Sequence, residues 1–528
     1  MKWREIKGAH VGLIILFILA MGLVIPIRAD EEYHVIATMQ APTLTSSGGF
    51  GTDLALYEDL LLISEYEADL GDLRRVGRAY IFDSDWNLVT SLQAPSPKEY
   101  EVFGEWIDMW GDTLAISNVE NVGDIEGAGK VYIYDSEGVL LTDIQSPEPE
   151  IGAGFGMGIC VYRDLLLVAE SWKNEQGFID AGLVQVFSSE GDFLSTIHSP
   201  SPANVGLFGL SIDANDEFIL VGECGHRGWP IDEGNVHVYD VDYNLVETLL
   251  SPDYQERSGF GISVAISENI FVIGEFWASV DGHEKAGRAH IYDTDWNLVA
   301  MLQSPTPEEN GEFGIHVAIG GGLVVVGERR GDVVSMNEGK AYVFDLEGNL
   351  IDTLVSPDPE VGAQFGWRVA TDGEIVVVAD AFHSVDDVSR AGYVYVFGKG
   401  TAIFEVDDLT IDPISVDLGG TLTISVEVTN TGAKSGTHTV ALMIDGEVED
   451  EKTVTLSPDE SETVSFEVSA SQLGTFSVEV DDLSGSYTVT EPKEEPTFWE
   501  RIPGFPFESI VFSMVLAVLV LWLIRRQR

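Results

Sequence analysis

The dipeptide Phe-Gly recurs at Phe50, Phe103, Phe155, Phe208, Phe260, Phe313 and Phe365, at intervals of 53, 52, 53, 52, 53 and 52 residues. A period held this closely means one supersecondary unit copied seven times, each copy burying its apolar face against the next. Within a copy the order is constant. Phe-Gly opens an alternating strand such as Gly261 to Ile266, and a second strand such as Leu323 to Glu328 follows a tight turn. A variable loop then leads to a glycine (Gly77, Gly129, Gly182, Gly234, Gly287, Gly339 or Gly392) and a third strand. An Asp-rich turn, as at Asp293 to Asn297, introduces a fourth strand ending at Ser-Pro or Ala-Pro. Four short antiparallel strands in seven copies predict an all-β fold, a seven-bladed β-propeller over residues 33–398. The seventh copy stops after its third strand at Phe397-Gly398, and an orphan fourth strand, residues 35–42, precedes the first Phe-Gly. The N-terminal strand is therefore expected to complete the last blade and remove the open edges.

The Phe-Gly copies and third strands such as Ala341-Tyr342-Val343-Phe344-Asp345 resemble the FG-GAP propeller family, whose best-known members are integrin α-subunit heads. The resemblance implies a platform for extracellular recognition. Integrin-type calcium loops would need an Asp-x-Asp-x-Asp-Gly run between first and second strands. Here those turns are as short as Tyr57-Glu58-Asp59 or Gly320-Gly321-Gly322, so no calcium ligands, and no metal or cofactor, are carried across.

From Phe404 the repeat gives way to a second β pattern in which Leu422, Ile424, Val426 and Val428 alternate with polar residues. Several short strands with turn signals such as Asp445-Gly446 predict an immunoglobulin-like β-sandwich over 404–490. Val428-Thr429-Asn430-Thr431-Gly432 and Gly485-Ser486-Tyr487-Thr488-Val489 resemble the CARDB domain, a cell-adhesion-related module that commonly serves as a spacer. Residues 491–504, rich in Pro and Glu, read as a linker.

Both termini bear on location. Residues 1–29 combine Lys2, Arg4 and Lys7 with an apolar run, the pattern of a signal peptide. Residues 505–524 are long enough for a transmembrane helix, and the basic tail 525–528 places the C-terminus in the cytoplasm. Pro503-Gly504-Phe505 before that segment resembles archaeal surface-protein sorting signals. The whole chain has 88 Asp and Glu against 28 Lys and Arg. Setting aside 1–29 and 505–528 leaves 86 acidic and 21 basic residues, so the acidity belongs to the part expected outside the cell. Such a charge excludes nucleic acid as a partner and leaves divalent cations or basic groups open. With only Cys160 and Cys224, no disulfide framework is available.

Candidate binding residues follow from blade topology, because variable loops clustered on one end of a rigid ring are the usual place for recognition. Second strands end at that face with Glu65, Asn118, Glu170, Glu223, Glu275, Glu328 and Asp380. Either these residues cap and solvate each loop, or they form a carboxylate-rich mouth for a cation or a basic ligand. Trp172, Trp229 and Trp277 fall in or near the same loops, where aromatic rings stack on sugars or proteins or wedge the loops in place. Cys224 and His226 supply half a zinc site, and Arg330-Gly331-Asp332 is a three-residue coincidence with an adhesion motif. No nucleophile elbow, phosphate loop or metalloprotease helix occurs, and no acid stands apart from its repeat siblings, so no catalytic residue is assigned. The expected function is cell-surface adhesion or recognition of a protein or glycan. The alternatives are an envelope component assembled through divalent cations and an enzyme acting on an extracellular polymer.

Overall fold

The structure is a computed structural model and describes residues 33–58, 60–225, 234–333, 336–432, 434–458, 460–493 and 507–526. The signal peptide expected over 1–29, His226, Trp229 and Pro503-Gly504-Phe505 lie outside them. The chain forms two compact units, divided between Gly400 and Thr401.

The first unit contains seven four-stranded sheets. Six are contiguous in sequence, as in the fifth blade: Phe260–Ser267, Ile270–Glu275, Arg288–Asp293 and Leu298–Leu302, from the inner strand outward. The seventh unites Phe365–Thr371, Ile375–Asp380 and Tyr393–Lys399 with Tyr33–Met39, paired antiparallel from Tyr33 opposite Lys399 to Met39 opposite Val394. This is the expected closure, and the all-β propeller is the fold observed.

Phe-Gly does more than open a strand. Phe50 pairs with Glu65 and Leu54 with Ile63, so three residues on the inner strand oppose the single Ser64. That bulge needs Gly51, whose φ is +92°. In the second and fourth blades the regular inner strand begins only after it, at Ile107 and Ser211. The second recurring glycine serves the neighbouring blade. A Cβ on Gly77 would lie 2.1 Å from the carbonyl oxygen of Phe103, and the same contact recurs from Gly129 to Phe155 and, across the seam, from Gly392 to Phe50. The phenylalanine amide bonds the carbonyl just before that glycine, as in Phe103 N to Val76 O at 2.8 Å and Phe50 N to Ala391 O at 2.8 Å. Each phenylalanine ring is thereby locked into the core between blades, where Phe50, Phe103, Phe208, Phe260, Phe313 and Phe365 are fully buried. At the seam Arg368 Nε adds an ion pair to Asp53 Oδ1 at 2.9 Å.

The second unit holds a sandwich of three- and five-stranded sheets within Phe404–Thr490 around Leu422, Ile424, Val426, Val440, Leu442, Phe466 and Val478. Buried Asn430 explains the Thr-Asn-Thr-Gly run: its Oδ1 accepts from Ile403 N and Gly432 N, and its Nδ2 donates to Lys434 O and Leu456 O. All its polar capacity is satisfied inside the fold. A helix, Phe507–Arg525, follows, with exposed side chains from Val511 onward. Among the described residues no helix is long and apolar enough to cross a membrane.

Candidate functional site: the long-loop face of the propeller

Antiparallel pairing puts the turns between first and second and between third and fourth strands at one end of every blade. The loops between second and third strands and the blade-to-blade connections lie at the other end.

The residues that end the second strands do not line an open mouth. Glu65, Asn118, Glu170, Glu223, Glu275, Glu328 and Asp380 are all at most 5% exposed. This corrects the sequence-based expectation that they solvate the loops or face a ligand, and the cause is register. Glu65, Glu170, Glu275, Glu328 and Asp380 sit opposite the phenylalanine of Phe-Gly, beneath the segment arriving from the previous blade. The serine of that segment's Ser-Pro donates to the acid: Ser146 to Glu170 at 2.7 Å, Ser199 to Glu223 at 2.8 Å, Ser304 to Glu328 at 3.2 Å and Ser356 to Asp380 at 3.0 Å. A third-strand side chain completes the bracket. Tyr80 and Tyr342 each donate at 2.5 Å, to Glu65 and Glu328, while Gln185 donates to Glu170 at 2.7 Å. Nε2 of His237 and of His290 bond Glu223 and Glu275, at 2.9 and 2.7 Å.

The second blade departs from this scheme. Ala94, like Ala41 in the first blade, stands where the other five copies have serine, Asn118 replaces the acid, and the carboxylate moves two residues on to Glu120, which accepts from Asn118 Nδ2 and Tyr132 and pairs with Lys130.

Charge compensation differs between brackets. Lys173 Nζ lies 3.0 Å from Glu170. Burial alone would raise the Glu275 carboxyl, but its bonds from His290 and Arg288 outweigh that and bring it to about 2. Burial also lowers His290, and Arg288, 2.5 Å from Glu275, supplies a fixed positive charge. Glu65 and Glu328, bonded mainly by hydroxyls, are pushed by burial to about 7.

With the acids turned inward, other side chains make the surface. Trp172 is 40% exposed at the loop surface. Trp277 is a brace: it stacks on Phe276 at 4.6 Å, carries Lys285 Nζ over its ring at 4.6 Å and donates to Glu312. The same end of the ring also exposes Tyr100, Ile151, Phe178, Ile179, Tyr254, Met336 and Val361, distributed over the loops of several blades. Sequence reasoning missed these, although a signal existed. Ile179 and Met336, like Ile231 in the sequence of the fourth copy, occupy the third place before the repeat glycine, where the remaining copies carry Arg74, Glu126, Glu284 and Ser389. The basic residues of these loops are mostly tied down, as in Arg75 to Glu67, Lys98 to Glu101 and Arg329 to Glu312. The tripeptide at Arg330 is also engaged: Arg330 pairs with Glu312 and the Asp332 amide donates to Glu308.

The opposite end differs in chemistry. Its turns carry Glu58, Asp83, Asp85, Asp112, Asp135, Asp164, Asp216, Asp242, Asp295 and Asp372 among others; among the described residues Arg163 is the one basic residue of these turns, with Lys399 beside them at the end of the last blade's third strand. Asp83, Asp135, Asp240, Asp293 and Asp345 accept backbone amides within their own turns, which is turn chemistry. Among the described residues no group of three or more His, Cys, Asp and Glu is placed to hold a metal ion, and Cys160 and Cys224 are buried free thiols.

Comparison with known families agrees with this architecture. The FG-GAP repeat profile matches residues 243–292, 296–344 and 350–397, and the CARDB profile matches residues 404–495. No curated protein matches the chain. The chain thus carries FG-GAP repeats in a β-propeller, followed by a CARDB domain of immunoglobulin-like architecture.

Proposed function

We propose that this is a cell-surface adhesion or recognition protein that binds an extracellular protein or glycan through the long-loop face of its propeller. FG-GAP repeats and a CARDB domain fit extracellular recognition or adhesion in general terms. The observation that carries the finer reading is the contrast between the two ends of the ring. One end is a set of braced loops presenting individual exposed apolar side chains, Trp172, Ile179 and Met336 among them. The other is acidic and built from turns. Exposed apolar groups rimmed by polar ones mark interaction surfaces, whereas a uniformly acidic surface repels most partners. Apolar pairs such as Leu298-Val299 and Leu350-Ile351 are also exposed on the outer strands, but they recur from blade to blade and so belong to the repeat. In this reading the CARDB domain is a spacer, and the apolar segment 505–524 with the arginines that follow, which begins and ends outside the described residues, holds the chain at the membrane.

The test is direct binding of residues 31–493 to arrayed glycans and purified envelope proteins, beside a Trp172→Ala, Ile179→Ser, Met336→Ser variant and a turn-face control, Val139→Ser with Val241→Ser. The reading expects saturable binding that the first variant weakens at least tenfold and the control retains. Equal loss in both variants would overturn it. Calcium-dependent self-association without any ligand would favour the second reading, an envelope component assembled through its acidic turn face.

A further inference from the structure

His383 is 4% exposed, in the loop that joins Ile375–Asp380 to Tyr393–Lys399 in the last blade. Its ring meets two acceptors at once. Nδ1 lies 2.7 Å from the carbonyl oxygen of Ser384, and Nε2 lies 2.7 Å from that of Asp358, in the connection arriving from the sixth blade. A carbonyl oxygen only accepts, and a neutral imidazole carries a single N–H. Both bonds together therefore require the imidazolium form.

The repeat gives an independent reason for a cation at this place. Lys173 is third after Glu170, as His383 is third after Asp380, and its Nζ donates to Glu148 O. Glu148 and Asp358 each stand second after the serine of Ser-Pro. In the fifth blade the equivalent carbonyl, that of Asp253, takes Arg288 Nη2 from the third strand at 2.6 Å. Lysine, arginine and histidine thus make the same bond in three blades, and of the three only histidine gives up its charge near neutral pH.

The groups facing the ring favour that charge. Asp358 and Glu360 of the connection place carboxylate oxygens 4.0 Å from Nε2 and 3.5 Å from Nδ1, Asp380 lies on the second strand, and the Tyr393 ring of the third strand is 5.1 Å away. Burial alone would lower the imidazole, but the charge on Asp380 and the two carbonyl bonds outweigh it and hold it above its ordinary 6.5. What the ring contributes is therefore complete below pH 6.5 and is lost as pH rises through the raised value.

The loop it secures closes the ring. Gly392 N bonds His383 O at 2.9 Å, and the carbonyls of Ser389, Arg390 and Ala391 receive the amides of Ser47, Gly49 and Phe50 from the first blade. We propose that His383 is a proton-controlled latch: as imidazolium it ties the last blade's long loop to the connection before it, and on losing its proton it loosens that loop at the seam of the propeller. The latch acts whatever the long-loop face binds.

The test is hydrogen exchange by mass spectrometry on the full chain from pH 6 to pH 9, corrected for intrinsic rates, with the Lys173 loop, residues 171–182, as reference in the same sample. In the wild type, protection of residues 381–392 relative to that loop should fall about tenfold across the range, the scale of one hydrogen bond to a charged group. His383→Lys, which copies the third blade, should hold the ratio constant, and His383→Gln should show the low value at every pH. A ratio that does not change with pH in the wild type, or a fall that survives in His383→Lys, overturns the proposal. Should His383→Lys fail to fold, His383→Gln decides: low protection independent of pH supports the latch, and a retained fall refutes it.

Discussion

Tyr80 donating to Glu65 and Tyr342 donating to Glu328 show how a residue copied through a repeat becomes a stability switch. Burial raises both carboxyls from 4.5 to about 7, so the folded state holds their protons more tightly than the unfolded chain does. The sign follows from linkage: their contribution is fully present below the unfolded value near 4.5 and is lost as pH rises through about 7, by at most ~3 kcal/mol each. Glu275 works the other way, its contribution being lost only as pH falls from 4.5 through about 2. The thermal midpoint should therefore fall between pH 5 and pH 8. Glu65→Gln combined with Glu328→Gln should flatten that slope relative to wild type, as differential scanning calorimetry at each pH would read. A slope unchanged by the two substitutions would mean that these carboxyls are ionised throughout the range. The bracket was partly legible in advance. The serine donors lie 24 residues before their acids in four blades, a constant offset that can be read from the chain. What the sequence could not show is that the connecting segment lies over the acid and shuts it from water, because that depends on a fold-back between blades.

Among the elements, the Phe-Gly bulge and the glycine before each third strand form one device, a backbone contact too close for any side chain. Gly392 shows it at the seam: φ is +91°, and a Cβ would lie 2.2 Å from Phe50 O. Gly71, with φ +59° and nothing within 4 Å, is the internal control, since it shares the left-handed backbone and lacks the neighbour. Gly71→Ala should cost only the conformational term, about 1–2 kcal/mol. Gly392→Ala adds displacement of backbone between two blades, for a total of about 2–5 kcal/mol. Urea unfolding of both variants separates the two terms, and equal costs would mean that the seam yields freely. The period of the phenylalanines made the blade count and strand order readable, because period and alternation are properties of one chain segment. The reason the glycines recur was not readable, because Gly77 acts on Phe103 and Gly392 on Phe50, in other blades.

For the whole molecule, closure and charge oppose each other. The ring is shut by Tyr33–Met39, without which Tyr393–Lys399 becomes an open edge with unpaired backbone groups. Deleting residues 33–40 should leave a propeller that associates through that edge, seen as a shift from monomer to larger species in light scattering; a monomeric product with an unchanged midpoint would show that three strands suffice for the last blade. Against closure stands a formal net charge of -60, which pushes all parts of the molecule apart. The basic residues of the long loops are largely paired, so uncompensated repulsion concentrates at the turn face, where Asp83, Asp85, Asp293 and Asp295 sit in exposed turns. Screening shortens from about 30 Å at 0.01 M salt to about 3 Å at 1 M, so sodium chloride should raise the midpoint steeply at pH 8. Asp85→Lys with Asp295→Lys, two positions whose side chains do not anchor their turns, should raise the midpoint at low salt and have little effect at 1 M. If the gain is the same at both salt concentrations, local turn propensity, and not long-range repulsion, governs the stability of this face.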